Sequence, residues 1–120
     1  MAHRILIVDD EGDWRSILAL YLDRLGYETL EANDSGQAIC KTLNERPDLI
    51  VTDLWLPDMN GIEATVALKR DPYTSKIPVV VLTGVADAHW KEEALKAGVT
   101  EYLVKPISLA ELGAIVKSLV

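Results

Sequence analysis

The stretch "LIVTDLWLPDMNG" (Leu49–Gly61) sets an apolar run, Leu49-Ile50-Val51, and one threonine before an aspartate, Asp53, and an Asn-Gly follows that aspartate seven residues later. Three consecutive β-branched or leucine side chains without alternation describe a strand buried on both faces. Asp53 is then either a strand's exit to solvent or a reactive group on a rigid support. Pro57 turns the chain and Asn60-Gly61 caps and opens a helix.

Runs of the same kind recur along the chain: Ile5–Val8, a weaker Thr29–Ala32, Val79–Leu82 and Tyr102–Val104. Helical periods lie between them. Ile17/Leu18, Tyr21/Leu22 and Leu25 recur at three and four, and Gly26 stands where a helix stops. Asp34 or Ser35 caps a second helix through Leu43. Asn60 caps a third to about Arg70, and Asp87 a fourth through Ala97 to Gly98. Ser108 with Glu111 forms a capping box for the last, Leu109 to Leu119. Alternating strands and helices predict an α/β fold, (βα)5 and doubly wound, with a five-stranded parallel sheet.

Composition fits one domain over residues 1–120. Hydrophobic residues make up 49% of the chain, enough for a core. The net charge of −7 and the scattered Lys and Arg argue against direct contact with nucleic acid or an anionic membrane. Cys40 is the only cysteine, which excludes an internal disulfide and a Cys-rich zinc site. It reads as a small core residue. No run is long enough to be a signal peptide or to span a bilayer, so the expectation is a cytoplasmic protein.

Parallel strands bring their carboxyl ends to one edge of the sheet, where ligands bind in such folds. The residues after the runs are Asp9 and Asp10, Asp53, Thr83-Gly84, and Lys105-Pro106. Three close carboxylates repel one another, and Lys105 alone does not neutralise them. A hard divalent cation held by oxygen ligands does, and that pattern points to Mg²⁺. Asp53, alone at its tip, is the nucleophile candidate for forming an acyl phosphate. Lys105 and the Thr83 hydroxyl would neutralise and position the phosphoryl group, and Gly84 would leave room for its oxygens.

The segments "ILIVDDE", "DLWLPDMNG", "VVVLTG" and "AGVTEYLVKP", in this order and spacing, resemble the receiver domain of two-component response regulators over essentially the whole chain. The resemblance implies a flavodoxin-like strand order 2-1-3-4-5. It also implies phosphorylation of Asp53 from the phosphohistidine of a sensor histidine kinase or a histidine phosphotransferase. Asp10 would bind Mg²⁺ directly, Asp9 through water, and Asp53 and the main-chain carbonyl of Trp55 would join them. Thr83 and Tyr102 would form the switch that alters the face of the fourth helix, fifth strand and fifth helix. The Lys105-Pro106 bond would be cis, although most X-Pro bonds are trans. Glu101, where aspartate is common, Gly12, often proline, and the offset loop "ANDSG" depart from the family pattern without touching the chemistry.

Read without the family, Tyr102 is also a plain half-buried aromatic. Trp14, at the start of the first helix, is a partner-docking anchor or a core-edge residue. Trp55, with Val85, is placed to hinder water at the phosphoryl site. Trp90 has the spacing to face the sheet, and His89 is solvated. Such a chain would catalyse only its own phosphorylation and dephosphorylation, which is not enzymatic turnover in the usual sense. The rivals are an aspartate-nucleophile phosphohydrolase, a flavodoxin-type cofactor binder and a receiver-shaped scaffold. The first wants a second acid where Trp55 stands. In the second, Asp9-Asp10-Glu11 would repel a phosphate, and the third leaves five intact site residues unused. Such a domain would act alone, in a phosphorelay, or ahead of an effector domain or downstream protein.

Overall fold

A computed structural model describes residues 2–120. Its elements alternate: β1 (Arg4–Val8), α1 (Gly12–Arg24), β2 (Glu28–Ala32), α2 (Ser35–Glu45), β3 (Leu49–Thr52), α3 (Gly61–Arg70), β4 (Val79–Thr83), α4 (Ala88–Ala97), β5 (Glu101–Val104) and α5 (Leu109–Leu119). All strand pairs are parallel, in the order β2-β1-β3-β4-β5. This is the doubly wound, flavodoxin-like arrangement, and its topological switch lies between β1 and β3.

The period of two along a strand divides the core into layers. Leu6, Val8, Ile50, Val79, Val81 and Tyr102 pack on one face with Ala38, Leu68 and Ala94 from α2, α3 and α4. Ile5, Ile7, Leu49, Val51, Val80 and Leu82 pack on the other with Leu18 and Leu22 of α1 and Leu112 and Val116 of α5. Burying each Leu or Ile contributes about 1.5–3 kcal/mol, so β1, β3 and β4, covered on both sides, anchor the sheet. The edge strands β2 and β5 are only partly covered, which is why their sequences are less apolar.

The caps are made by the side chains named from sequence. Asp34 accepts from the Gln37 N–H at 2.7 Å, Asn60 from Glu63 at 2.8 Å, Asp87 from His89 at 2.7 Å and Ser108 from Glu111 at 3.0 Å. Three expectations need correction. Ile17 and Leu25, 51% and 49% exposed, lie off the core face of α1, which is carried by Leu18, Ala19 and Leu22. The apolar stripe of this helix is wider than the surface it has to bury. Second, α2 continues past Leu43 to Glu45. It stops at Arg46 in a left-handed conformation (φ 47°), since the α region is disfavoured before Pro47. Third, Cys40 is exposed on α2; Ala38 and Thr42 face inward there.

Candidate phosphoryl-acceptor site

The parallel register sets the site. Val8 pairs with Thr52, and the Asp53 N–H donates to the Val8 carbonyl at 3.0 Å. Asp9, the next residue of that chain, therefore leaves the sheet beside Asp53. On the other side Thr83 pairs with Val104, and the Lys105 N–H donates to the Thr83 carbonyl at 2.7 Å. Four strand tips deliver their reactive residues to one edge.

Carboxylate oxygens of Asp9, Asp10 and Asp53 lie within 4.8 Å of one another. The Lys105 ammonium is 3.3 Å from Asp9 Oδ2 and 3.7 Å from Asp53 Oδ2. One cation thus faces three acids. Asp9 is only 3% exposed, and burial raises its pKa above the ordinary carboxylate value. The Glu11 N–H bond and Lys105 oppose that shift, and the Asp53 charge adds to it. An oxygen-only cluster with excess negative charge and one desolvated carboxylate suits a hard cation such as Mg²⁺, so the residues present fit the metal that their pattern implies.

Asp9 and Asp53 are held from behind. Asp9 Oδ1 accepts from the Glu11 N–H at 2.9 Å. Asp53 Oδ1 accepts from the Leu54 N–H at 2.6 Å. Arg15, one turn into α1, donates to the Asp9 carbonyl at 2.5 Å and to Glu31 of β2 at 3.0 Å, clamping the acidic loop. The Trp14 ring lies 5.4 Å from the Lys105 ammonium and packs at the edge of the α1–α5 core layer. Trp14 is therefore a core-edge residue that also touches the site.

Thr83 is 1% exposed, and its hydroxyl accepts from the Val85 N–H at 3.3 Å. Tyr102 points inward, its hydroxyl donating to the Val85 carbonyl at 2.7 Å. Burial raises the pKa of this tyrosine, assisted by the charges of Asp87 and Asp53. Gly84 has open space around it. Gly61 does not: a Cβ there would lie 2.6 Å from the Asp53 carbonyl oxygen. The first turn of α3 rests on the backbone of the site, and the Gly61 N–H bonds to the Leu54 carbonyl at 2.6 Å. The Lys105-Pro106 peptide is cis.

Sequence reasoning missed three supports. Arg15 looked like one more scattered cation. Asp58 accepts from the Ser35 and Gly36 N–H groups, at 2.9 and 2.8 Å, and from Met59 at 2.9 Å. It caps α2 from the loop after β3, and those bonds, that from Ser35 first, lower its pKa. The third is the edge-on contact of Trp55 with Trp90, 5.0 Å between centroids and 78° between planes. Trp90 does pack on the α2–α4 core layer; its aromatic partner had no signal in the sequence. Among the described residues no helix is long and apolar enough to cross a membrane.

Comparison with known proteins agrees with this geometry. The family model for the response regulator receiver domain matches residues 5–117. The phosphate regulon transcriptional regulatory protein PhoB of Pseudomonas aeruginosa is 42% identical over 114 residues, covering 95% of this chain and 50% of that protein. PhoB of Escherichia coli is 37% identical over 118 residues, 98% of this chain and 52% of that one. The chain therefore spans about half the length of these relatives. Among solved structures, the chemotaxis response regulator CheY4 of Vibrio cholerae superposes with a TM-score of 0.93 at 28% identity, covering 100% of both chains. The receiver domain of a Syntrophus aciditrophicus signal transduction histidine kinase gives 0.91 at 32% identity, over 98% of this chain and 89% of that one. Sequence, strand order and site geometry agree, and the chain belongs to the response regulator receiver domain family.

Proposed function

We propose that residues 1–120 form one phosphoacceptor switch that takes a phosphoryl group on Asp53 from the phosphohistidine of a sensor histidine kinase or histidine phosphotransferase. The observation that carries this reading is the convergence of Asp9, Asp10, Asp53 and Lys105 on one sheet edge. A carboxylate oxygen of Asp53 attacks phosphorus, and the P–N bond to the donor histidine breaks. Its electron pair stays on the imidazole nitrogen, which takes up a proton, and Asp53 becomes an acyl phosphate. Hydrolysis reverses the modification: water attacks phosphorus, and inorganic phosphate leaves the regenerated carboxylate.

Asp10, Asp9, Asp53 and the main-chain carbonyl of Trp55 would hold Mg²⁺, which neutralises charge on the phosphoryl oxygens when bound. Lys105, already between Asp9 and Asp53, contributes the second positive charge. Leu54 N–H fixes the Asp53 carboxylate by its Oδ1. Thr83 and Tyr102 are the switch pair. The Thr83 hydroxyl would donate its proton to a phosphoryl oxygen while its oxygen is held by the Val85 N–H, and Val85 is also the residue to which Tyr102 is bonded. Phosphate shifts this equilibrium only as far as it favours one arrangement of the pair. The response is read on the face of α4, β5 and α5 by an effector domain or a downstream protein. The protein modifies only itself and turns over no external metabolite, in the cytoplasm where histidine kinases present their phosphohistidines.

Incubation with Mg²⁺ and acetyl phosphate tests the reading. Intact-mass analysis should show one added phosphoryl group that depends on Mg²⁺, is labile to hydroxylamine, and is absent from Asp53→Asn. Modification of Asp53→Asn equal to wild type would refute it, and an unmodified wild type would favour the scaffold.

A further inference from the structure

The loop from Asp53 to Asn60 carries the nucleophile and the Trp55 carbonyl, and it is tied down at separate points. At its start Asp53 accepts from Leu54. At its far end Asp58 binds the first turn of α2. Between them the Trp55 side chain, 47% exposed, has as its aromatic partner Trp90 of α4, which itself packs on the core layer and stacks edge-on with His89 at 5.2 Å. Edge-to-face geometry at this separation is attractive beyond the area it buries. The contact joins residue 55, two positions after Asp53 of the acidic cluster and proposed above as a main-chain ligand, to α4.

We infer that Trp90 is a positioning residue for the metal-binding loop, acting through Trp55, so that occupancy of the acidic cluster and the seating of α4 are coupled. Coupling of this kind is reciprocal: what holds α4 in place tightens the metal site, and filling the metal site quiets α4. Neither effect needs phosphorylation. The inference rests on the reading of Asp9, Asp10 and Asp53 as a Mg²⁺ site.

The test is a Mg²⁺ titration of the unphosphorylated protein, followed by amide shifts at residues 9–11 in two-dimensional NMR, with amide exchange of residues 88–94 measured with and without Mg²⁺. Trp90→Ala should weaken Mg²⁺ binding by roughly two- to tenfold, the range one aromatic pair supports, and abolish the Mg²⁺-dependent slowing of exchange in α4. Trp90→Phe, which keeps a ring, should stay near wild type. The Trp55→Ala/Trp90→Ala double variant should bind no more weakly than the worse single one. If Trp90→Ala proves unstable, Trp90→Leu keeps the apolar bulk without the ring and takes its place. Wild-type affinity in the ring-less variant, multiplicative losses in the double variant, or α4 exchange in wild type indifferent to Mg²⁺ would each overturn the inference. A wild type that binds no Mg²⁺ would overturn the metal reading as well; one that binds Mg²⁺ and is phosphorylated normally while ignoring Trp90 leaves the function standing and removes only this proposal.

Discussion

The Tyr102 hydroxyl donates to the Val85 carbonyl at 2.7 Å, while the N–H of the same residue serves Thr83. A single peptide segment therefore senses both members of the switch pair. Tyr102→Phe removes one neutral hydrogen bond and should cost about 0.5–1.5 kcal/mol in urea unfolding, with Mg²⁺-dependent modification of Asp53 retained. Because burial raises the Tyr102 pKa, this tyrosine should titrate above the ordinary range in ultraviolet difference spectra. Its contribution to stability is complete below the unfolded tyrosine pKa and is lost as pH rises through the folded one.

The buried carboxylate of Asp9 sets a pH dependence of the same sign as that of Tyr102. Its folded pKa is raised, so its contribution to stability is present below the unfolded value and lost as pH rises through the folded one. Above that folded pKa the metal-free protein carries an unfavourable charge there. Asp9→Asn should therefore raise the melting temperature without Mg²⁺ and abolish the further rise that Mg²⁺ gives wild type. Protons should also compete with Mg²⁺ at a higher pH than an ordinary aspartate would allow, seen as weakening affinity on acidification.

Gly61 has no room for a methyl group, since a Cβ would stand 2.6 Å from the Asp53 carbonyl oxygen. Gly61→Ala must push α3 from the tip of β3. The overpacking should cost about 1–3 kcal/mol and slow modification of Asp53 by acetyl phosphate, because the displaced backbone carries the nucleophile. Gly84→Ala, with open space around it, should leave stability near wild type.

Asp58 binds α2 to the loop after the nucleophile. Asp58→Ala should speed amide exchange at Ser35, Gly36 and Met59, the three groups it accepts from. Its pKa is lowered, so its support is present above the unfolded value and lost as pH falls through the folded one. Acid unfolding should start at higher pH in the variant.

On the proposed function, Trp55, two residues after the acceptor, would hinder an attacking water. Trp55→Asn should shorten the lifetime of the phosphorylated protein in Mg²⁺, followed by loss of the phosphoryl group with time; unchanged decay would remove that role.

The central strands and the site were legible in the sequence for one reason. A strand buried on both faces has to be continuously apolar, so the first polar residue after Val8, Thr52 and Leu82 marks its tip, and parallel pairing gathers those tips. Helix caps were legible because Asp34, Asn60, Asp87 and Ser108 act on the next few residues. Arg15, Asp58 and the Trp55–Trp90 contact were not, since each joins elements far apart in sequence and no local pattern records its partner. Ile17 and Cys40 misled for a related reason: periodicity tells that α1 and α2 have an apolar face, while the neighbouring helix decides how wide a stripe is covered.

The β-sheet is a partition. Side chains of β1, β3 and β4 fall into one layer or the other, and Asp9, Asp53 and Lys105 stand at the rim of the sheet that divides them. Substitutions that refit the layer of α1 and α5 are separated by the sheet from the packing of α2, α3 and α4. The two layers of such a molecule are free to diversify separately, while the rim and a face such as α4, β5 and α5, which draws on both layers, must stay in register.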